Sequence, residues 1–351
     1  MSDGAGEEQP QQGDDSARPD PLMPAGRTGA EPILSKEQGG AGSATRRRWA
    51  RGALLASGGL LSLTLATAAY VVEQFTRASA PLAEDYGFSP FEVGVDWEEV
   101  RFPTSGGQTL SGWWFLRPES ENVVICLYGF RRRKADLLGI GSALWRAGNN
   151  VLLFDYRGHG EHVGTPISLG YREVEDAIGA IAYVRERLPA ARIGLMGYSM
   201  GASVAIMAAA REPQVLAVAA DSPFAAQRNA VGRQMRRAFR TGLPDKPVLF
   251  LADQLLAWRH GYRFRDVEPL REVRKISPRP LLIINGTADQ MMGMGEARAL
   301  YAEAGQPKEL WVLEGVGHCG AYFEDRAAYV ERVYGFFARA LDGDQAVRQA
   351  G

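Results

Sequence analysis

Six short stretches of this 351-residue chain are apolar at every position after the first, and they constrain the fold more than any other feature. They are Asn122–Leu127, Asn150–Phe154, Arg192–Met196, Val215–Ala220, Pro280–Ile284 and Glu309–Leu313. Runs of strand length that are apolar on both faces belong to parallel strands covered by helices. Between them, Lys134–Ala147, Tyr171–Leu188, Met200–Arg211, Gly293–Ala304 and Phe323–Leu341 carry apolar residues at three-to-four spacing, the mark of amphipathic helices. The expected fold class is therefore α/β, a doubly wound and mostly parallel sheet. Ahead of it, Trp97–Phe102 and Thr109–Leu116 alternate like an antiparallel pair around the turn Ser105-Gly106-Gly107. One connection, 222–278, is too long for a simple crossover. It reads as helices broken at Gly242, Pro244 and Pro247, a helical lid inserted above the carboxyl edge of the sheet.

The N-terminal part follows different rules. Residues 1–45 hold eight acidic against three basic residues and no aromatics, so they form no core and read as a disordered leader. Arg46-Arg47-Arg48-Trp49-Ala50-Arg51 follows, and from Gly52 to Val72 no residue is charged. That run is long enough to cross a bilayer as a helix. The basic cluster on its N-terminal side keeps the leader in the cytoplasm and places everything after Val72 outside. A second reading fits the same residues: Thr45–Arg51 resembles a twin-arginine export signal, with small residues at Ala66-Thr67-Ala68 and Ala78-Ser79-Ala80 as cleavage sites. The plain alternative, a buried helix of the soluble domain, fits poorly because the run has no amphipathic stripe. The organisation expected is a leader (1–45), a basic and apolar segment (46–75), a linker (76–92), a catalytic domain (93–341) and a tail (342–351).

Composition removes other classes. Forty basic residues against 41 acidic ones exclude a generic basic nucleic-acid binder. Two cysteines and four histidines leave no Cys-rich or His-rich metal framework, and no cofactor or metal is expected. Cys126 lies inside a strand expected to be buried, so a bridge to Cys319 is not expected.

The chemistry resides in Gly197-Tyr198-Ser199-Met200-Gly201, which follows one apolar run directly and opens a helical pattern. In that setting G-x-S-x-G is a sharp strand-to-helix turn that lifts Ser199 to the sheet edge as a nucleophile. The N–H of Met200 then points at a developing oxyanion. A serine hydroxyl needs a base, and the base needs an orienting carboxylate. Downstream of Ser199 only His260 and His318 remain. His260 lies in the insertion and reads as a solvated or locally bonded residue. His318 lies just past the last apolar run, at the same edge as Ser199. Asp289, after Pro280–Ile284, is the expected acid, with Asp221 as its rival; Asp221 also reads as a cap for the Ser222-Pro223 turn. The second oxyanion donor is expected in Leu127-Tyr128-Gly129-Phe130-Arg131, from the N–H of Phe130, with Arg131 next. His159 and His162 read as structural or rim residues.

These motifs, together with Asp155-Tyr156-Arg157-Gly158-His159-Gly160 and Ala220-Asp221-Ser222-Pro223-Phe224, stand in an order and spacing that resembles the α/β-hydrolase-fold serine hydrolases. Within them the chain looks most like the Bem46-like and YqkD-like group, related to serine aminopeptidase-type and membrane-tethered ABHD hydrolases. The resemblance covers about Val93 to Leu341. It implies hydrolysis of a carboxylic ester or thioester on Ser199, His318 and Asp289. Two positions depart from the family pattern: Tyr128-Gly129 replaces the usual His-Gly, and His162 replaces a common Ser.

The expected substrate is a small or lipid-like acyl compound, with membrane contact through the N-terminal helix and no nucleic-acid partner. An aminopeptidase would need a free-amine anchor, for which Asp253 and Asp266 are the nearby carboxylates. A third reading is a catalytically silent binding protein. Arg131-Arg132-Arg133-Lys134 and the arginines at 228, 233, 236, 237 and 240 read as solvated faces or as contacts to anionic headgroups.

Overall fold

The structure is a computed structural model and describes residues 40–78, 87–162, 164–238 and 244–349. Most of the acidic leader, residues 79–86 of the linker, and the insertion residues Phe239, Arg240 and Gly242 lie outside the described residues. Contacts divide the chain into a unit ending at Ala56 and a unit from Ser57 onward. Of the first unit, Gly40–Ala56 is helical, the opening part of α1 (Gly40–Thr76). The stretch Thr45–Thr76 is the one described helix long and apolar enough, by length and composition, to cross a membrane.

The second unit is built on eight strands: β1 (Trp97–Pro103), β2 (Thr109–Phe115), β3 (Asn122–Leu127), β4 (Asn150–Phe154), β5 (Arg192–Tyr198), β6 (Val215–Asp221), β7 (Leu281–Gly286) and β8 (Lys308–Leu313). They form one sheet in the order β1-β2-β4-β3-β5-β6-β7-β8. β2 alone runs antiparallel, against β1 and β4. Strands β3 to β6 are buried almost throughout, as two-sided cover requires. The last apolar run differs. β8 is the edge strand, paired on one side only, and most of it is half-buried.

The helices are α2 (Leu138–Arg146), α3 (Tyr171–Arg187), α4 (Met200–Arg211), α5 (Gln227–Ala238), α6 (Asp245–His260), α7 (Pro269–Glu272), α8 (Met294–Glu303), α9 (Ala321–Glu324) and α10 (Arg326–Gln349). Two expected helices are divided. Lys134–Leu137 is a tight 3-10 turn ahead of α2. The pattern Phe323–Leu341 breaks at Asp325, whose backbone is extended and whose carboxylate accepts the Ala328 N–H at 3.0 Å. An aspartate in that position starts a new helix. α10 also runs on to Gln349, so the tail expected from 342 is helical for most of its length.

Register positions the site. Leu127 pairs with Gly197, Tyr198 with Asp221, Asp221 with Ile284, and Gly286 with Leu313. The carboxyl ends of β3, β5, β6, β7 and β8 are thus level. The loops that leave them emerge at one edge, where open α/β sheets bind ligands.

Candidate active site

Ser199 sits between β5 and α4 with φ 53° and ψ −117°, a left-handed conformation that a serine adopts only when its surroundings impose it. The flanking glycines explain how. A Cβ on Gly197 would lie 2.3 Å from the Gly201 carbonyl oxygen, and one on Gly201 would lie 2.2 Å from that of Leu127. Strand and helix backbones pass too close for any side chain. The Ser199 N–H donates to the Asp221 carbonyl at 2.8 Å, tying the turn to β6.

His318 and Asp289 meet Ser199 from the neighbouring loops. Ser199 Oγ lies 2.8 Å from His318 Nε2, and His318 Nδ1 lies 2.8 Å from Asp289 Oδ2. The other Asp289 oxygen accepts the N–H groups of Met291 and Met292 at 2.8 and 2.9 Å. Burial raises the Asp289 carboxyl, but the His318 hydrogen bond and charge, with those two amides, outweigh it and hold it below its usual range. The loops are laced together. Gly315 N–H donates to Thr287 Oγ1 at 2.9 Å, and Ala288 N–H donates to the Val316 carbonyl. Gly286 is obligatory here, because a Cβ on it would lie 2.0 Å from the Val316 oxygen.

The rival carboxylate faces elsewhere. Asp221 accepts from Ser222 Oγ and from the Tyr329 hydroxyl, both at 2.8 Å, so it is bound on both oxygens without reaching His318. Ser222 Oγ in turn accepts the Cys319 N–H, next to His318. Burial pushes the Asp221 carboxyl up to about 6.

The loop after β3 passes directly over Ser199. A Cβ on Gly129 would approach Ser199 Cβ to 3.2 Å, tighter than an ordinary contact, so glycine suits this close approach. Arg131, at φ 58°, donates its N–H to His159 Nε2 at 3.3 Å. His159 is fully buried, and its Nδ1 lies 2.9 Å from the Arg157 carbonyl. Burial depresses its pKa, which favours the neutral ring that donates at Nδ1 and accepts at Nε2. The Arg131 amide is therefore occupied. Tyr128, where the family usually has histidine, accepts the Tyr156 N–H on its hydroxyl at 2.7 Å and braces the base of the loop. His162, the other departure, accepts the Ser111 N–H at 3.0 Å.

Two expectations need correcting. Lys134 does not belong to a solvated basic run. It is buried, with its ammonium 2.8 Å from Asp155, whose other oxygen accepts the Lys134 N–H. Asp253 pairs with Arg263 at 2.8 Å and accepts the Phe264 N–H, while Asp266 accepts the Arg263 N–H. Neither lines the cavity at Ser199. Cys126 and Cys319 are both free. Among the described residues no group of three or more His, Cys, Asp or Glu is arranged to hold a metal ion.

Ser199, Met200, Phe130 and His318 open on a cavity of about 1130 Å³. α5 contributes Ala230, Gln234 and Met235 to its lining. So do Tyr70, Val71, Gln74 and Phe75 of α1, which no sequence signal singled out. They lie in or beside a run where nearly everything is apolar, so no periodicity distinguishes a packed face from a free one.

A mostly parallel sheet with a strained serine turn and a carboxyl-edge histidine defines an α/β-hydrolase. Residues 107–332 match the model described as the alpha/beta hydrolase family, and the chain belongs to that family, an enzyme of the hydrolase class. It is 29% identical to YqkD of Bacillus subtilis over 266 residues, 74% of this chain and 86% of that one. It is 30% identical to YfhR of Salmonella typhi over 266 residues, 73% and 85% of the two chains. Among solved structures, the Pyrococcus furiosus esterase Pf2001 shares the fold with a TM-score of 0.62 at 24% identity, over 75% of this chain and 99% of that one.

Proposed function

We propose that the protein is a serine hydrolase that cleaves a carboxylic ester or thioester through an acyl-enzyme. The observation that carries this reading is the unbroken chain of 2.8 Å contacts from Ser199 Oγ through His318 to Asp289. Ser199 Oγ attacks the acyl carbon as His318 Nε2 takes its proton, and the carbonyl π pair moves onto oxygen. Asp289 holds the Nδ1–H tautomer and stabilises the imidazolium. The oxyanion is received by the N–H groups of Met200, at the N-terminus of α4, and Phe130. With the Arg131 amide engaged by His159, Phe130 is the free donor of that loop. The oxyanion collapses, the bond to the leaving alcohol or thiol breaks, and His318 delivers its proton to that group. Water then repeats the sequence and releases the acid. The insertion between β6 and β7 acts as a lid, since α5 lines the cavity.

The basic cluster ahead of the apolar run supports a retained single anchor, with the catalytic domain on the far side of the membrane from the leader. Among the described residues, an amine-anchoring carboxylate, which an aminopeptidase needs, has no candidate within the cavity beyond Asp136, and that side chain caps the Arg133 N–H. The test is labelling of the full-length protein by a fluorophosphonate, followed by turnover of p-nitrophenyl esters beside aminoacyl anilides. Labelling at Ser199 with ester turnover is expected. A folded protein that neither labels nor turns over either substrate refutes the enzyme reading, and anilide turnover exceeding ester turnover replaces it with a peptidase.

A further inference from the structure

The end of α1 is built into the hydrolase unit as a wall of its cavity. Ala68 is fully buried, and Val71 and Val72 are 3% and 4% exposed. The Thr76 carbonyl accepts the Ile167 N–H at 3.1 Å, the Gln74 carbonyl accepts Arg131 Nη2 at 2.8 Å, and Glu73 lies 3.5 Å from Arg259. The Phe75 ring packs on Phe130 with centroids 5.8 Å apart. Phe130 is the residue whose amide faces the nucleophile in the proposed mechanism. A helix able to cross a membrane therefore touches the chemistry itself.

The turns just before this clasp are dressed for an apolar solvent. Leu60, Leu61, Leu63 and Leu65 are each about half exposed or more. The partly exposed Thr67 hydroxyl donates to the Leu63 carbonyl four residues back at 2.8 Å, so that donor is not left unsatisfied in hydrocarbon, and the buried Thr64 hydroxyl donates to the Leu60 carbonyl at 2.7 Å. Length adds a constraint. With Ala68 onward taken up by the hydrolase unit, about 16 residues of the uncharged run remain, roughly 24 Å of helix. That is short of the roughly 30 Å of a hydrocarbon core. A helix that crosses therefore draws the gripping face of the domain into the interface.

The cavity mouth suits that position. Tyr70, Phe88 and Phe323 line the cavity yet stay 52%, 58% and 73% exposed, an apolar rim. Among the described residues, Arg131, Arg132 and Arg326 line it against one carboxylate, Asp136, the balance that anionic headgroups favour. At about 1130 Å³ the space exceeds the roughly 300–1,000 Å³ usual for small ligands, so a short acyl group would leave most of it empty.

We infer that the substrate is a membrane-resident amphiphile, an acyl ester whose chain enters the cavity along α1 from the bilayer. α1 is then both anchor and substrate-binding wall, and it stays attached, because cleavage after Ala80 would remove that wall and cleavage after Ala68 would sever the wall from its anchor. This rests on the serine-hydrolase reading.

The test uses the full-length protein in phosphatidylcholine–phosphatidylglycerol vesicles, with 4-methylumbelliferyl acetate, butyrate, octanoate and palmitate. Catalytic efficiency is expected to rise at least roughly ten-fold from butyrate to palmitate, since each buried methylene adds binding. Palmitate placed in the enzyme's own vesicles is expected to turn over faster than palmitate in separate vesicles, which marks supply through the bilayer. Tyr70→Asp and Phe323→Asp, both at exposed positions, are expected to lower the palmitate-to-butyrate ratio. Fluorophosphonate labelling of Ser199 in the same samples confirms an assembled site. A labelled enzyme that prefers butyrate, treats both vesicle arrangements alike, or keeps its ratio in both variants overturns the inference and leaves the hydrolase reading standing. Absence of both labelling and turnover in the wild type overturns the hydrolase reading beneath it.

Discussion

Ser199 and His318 act as one unit in the proposed mechanism, so removing either is expected to cost about as much as removing both. Ser199→Ala and His318→Ala should each lower kcat by roughly 10⁴-fold or more, with little further loss in the double variant. Single-turnover kinetics on a soluble ester, with circular dichroism to confirm the fold, would check this; additive losses would count against a shared role. Asp221 offers a test of a different kind. Burial raises its carboxyl to about 6 from the ordinary 3.8, the hydrogen bonds from Ser222 and Tyr329 only partly offsetting this. Between those values the folded state binds more proton than the unfolded chain. Its contribution to stability therefore falls as pH rises from about 4 to about 6 and stays low above that. The full penalty is at most about 3 kcal/mol. Asp221→Asn removes the dependence, so its melting temperature relative to wild type should be higher near pH 7.5 than near pH 4.5. An equal difference at both values would contradict the sign. At this scale much was legible: glycine at 197 and 201 around a serine already states a turn with no room for a Cβ. Which carboxylate faces His318 was weighed by position along the chain, while Tyr329, which occupies one oxygen of Asp221, lies 108 residues away.

α1 is the element whose role the sequence left open. Its apolar run has no stripe, so a tether, a signal and a packed helix look alike. The structure distinguishes its two ends by burial. Removing residues up to Ala56 should leave the hydrolase unit's melting temperature unchanged, because that unit begins at Ser57. Removing residues through Arg77 exposes surface that Val71, Val72 and Thr76 cover. Each fully buried valine contributes at least about 1.5 kcal/mol. Melting should then fall by at least roughly 5 °C, measured by differential scanning fluorimetry in one detergent. Equal melting of the two truncations would show the end of α1 to be dispensable. The sheet strands were read well, because a two-sided apolar run is a local pattern. β8 was over-read: an apolar run does not announce whether it ends inside the sheet or at its edge. The division of α9 from α10 at Asp325 was hidden because apolar spacing passes through the cap undisturbed.

For the whole molecule, the proposed topology puts leader and catalytic domain on opposite sides of a membrane. Protease added to sealed inverted vesicles should remove the leader and spare the domain, and sealed right-side-out vesicles should reverse the pattern; digestion of both from one side would sink the single-span reading. The sequence by itself determined the fold class, the glycine-flanked turn at Ser199, the order of Ser199, Asp289 and His318 along the chain, and a membrane-length run. All four are patterns of near neighbours, or of order along the chain, which need no knowledge of contacts. Only the tertiary structure decided that Arg131's amide is consumed by His159, that Lys134 is buried on Asp155, and that the end of α1 walls the cavity beside Phe130. Those facts depend on which distant surfaces the level strand ends bring together, and a uniformly apolar or basic stretch carries no mark of the surface it will meet.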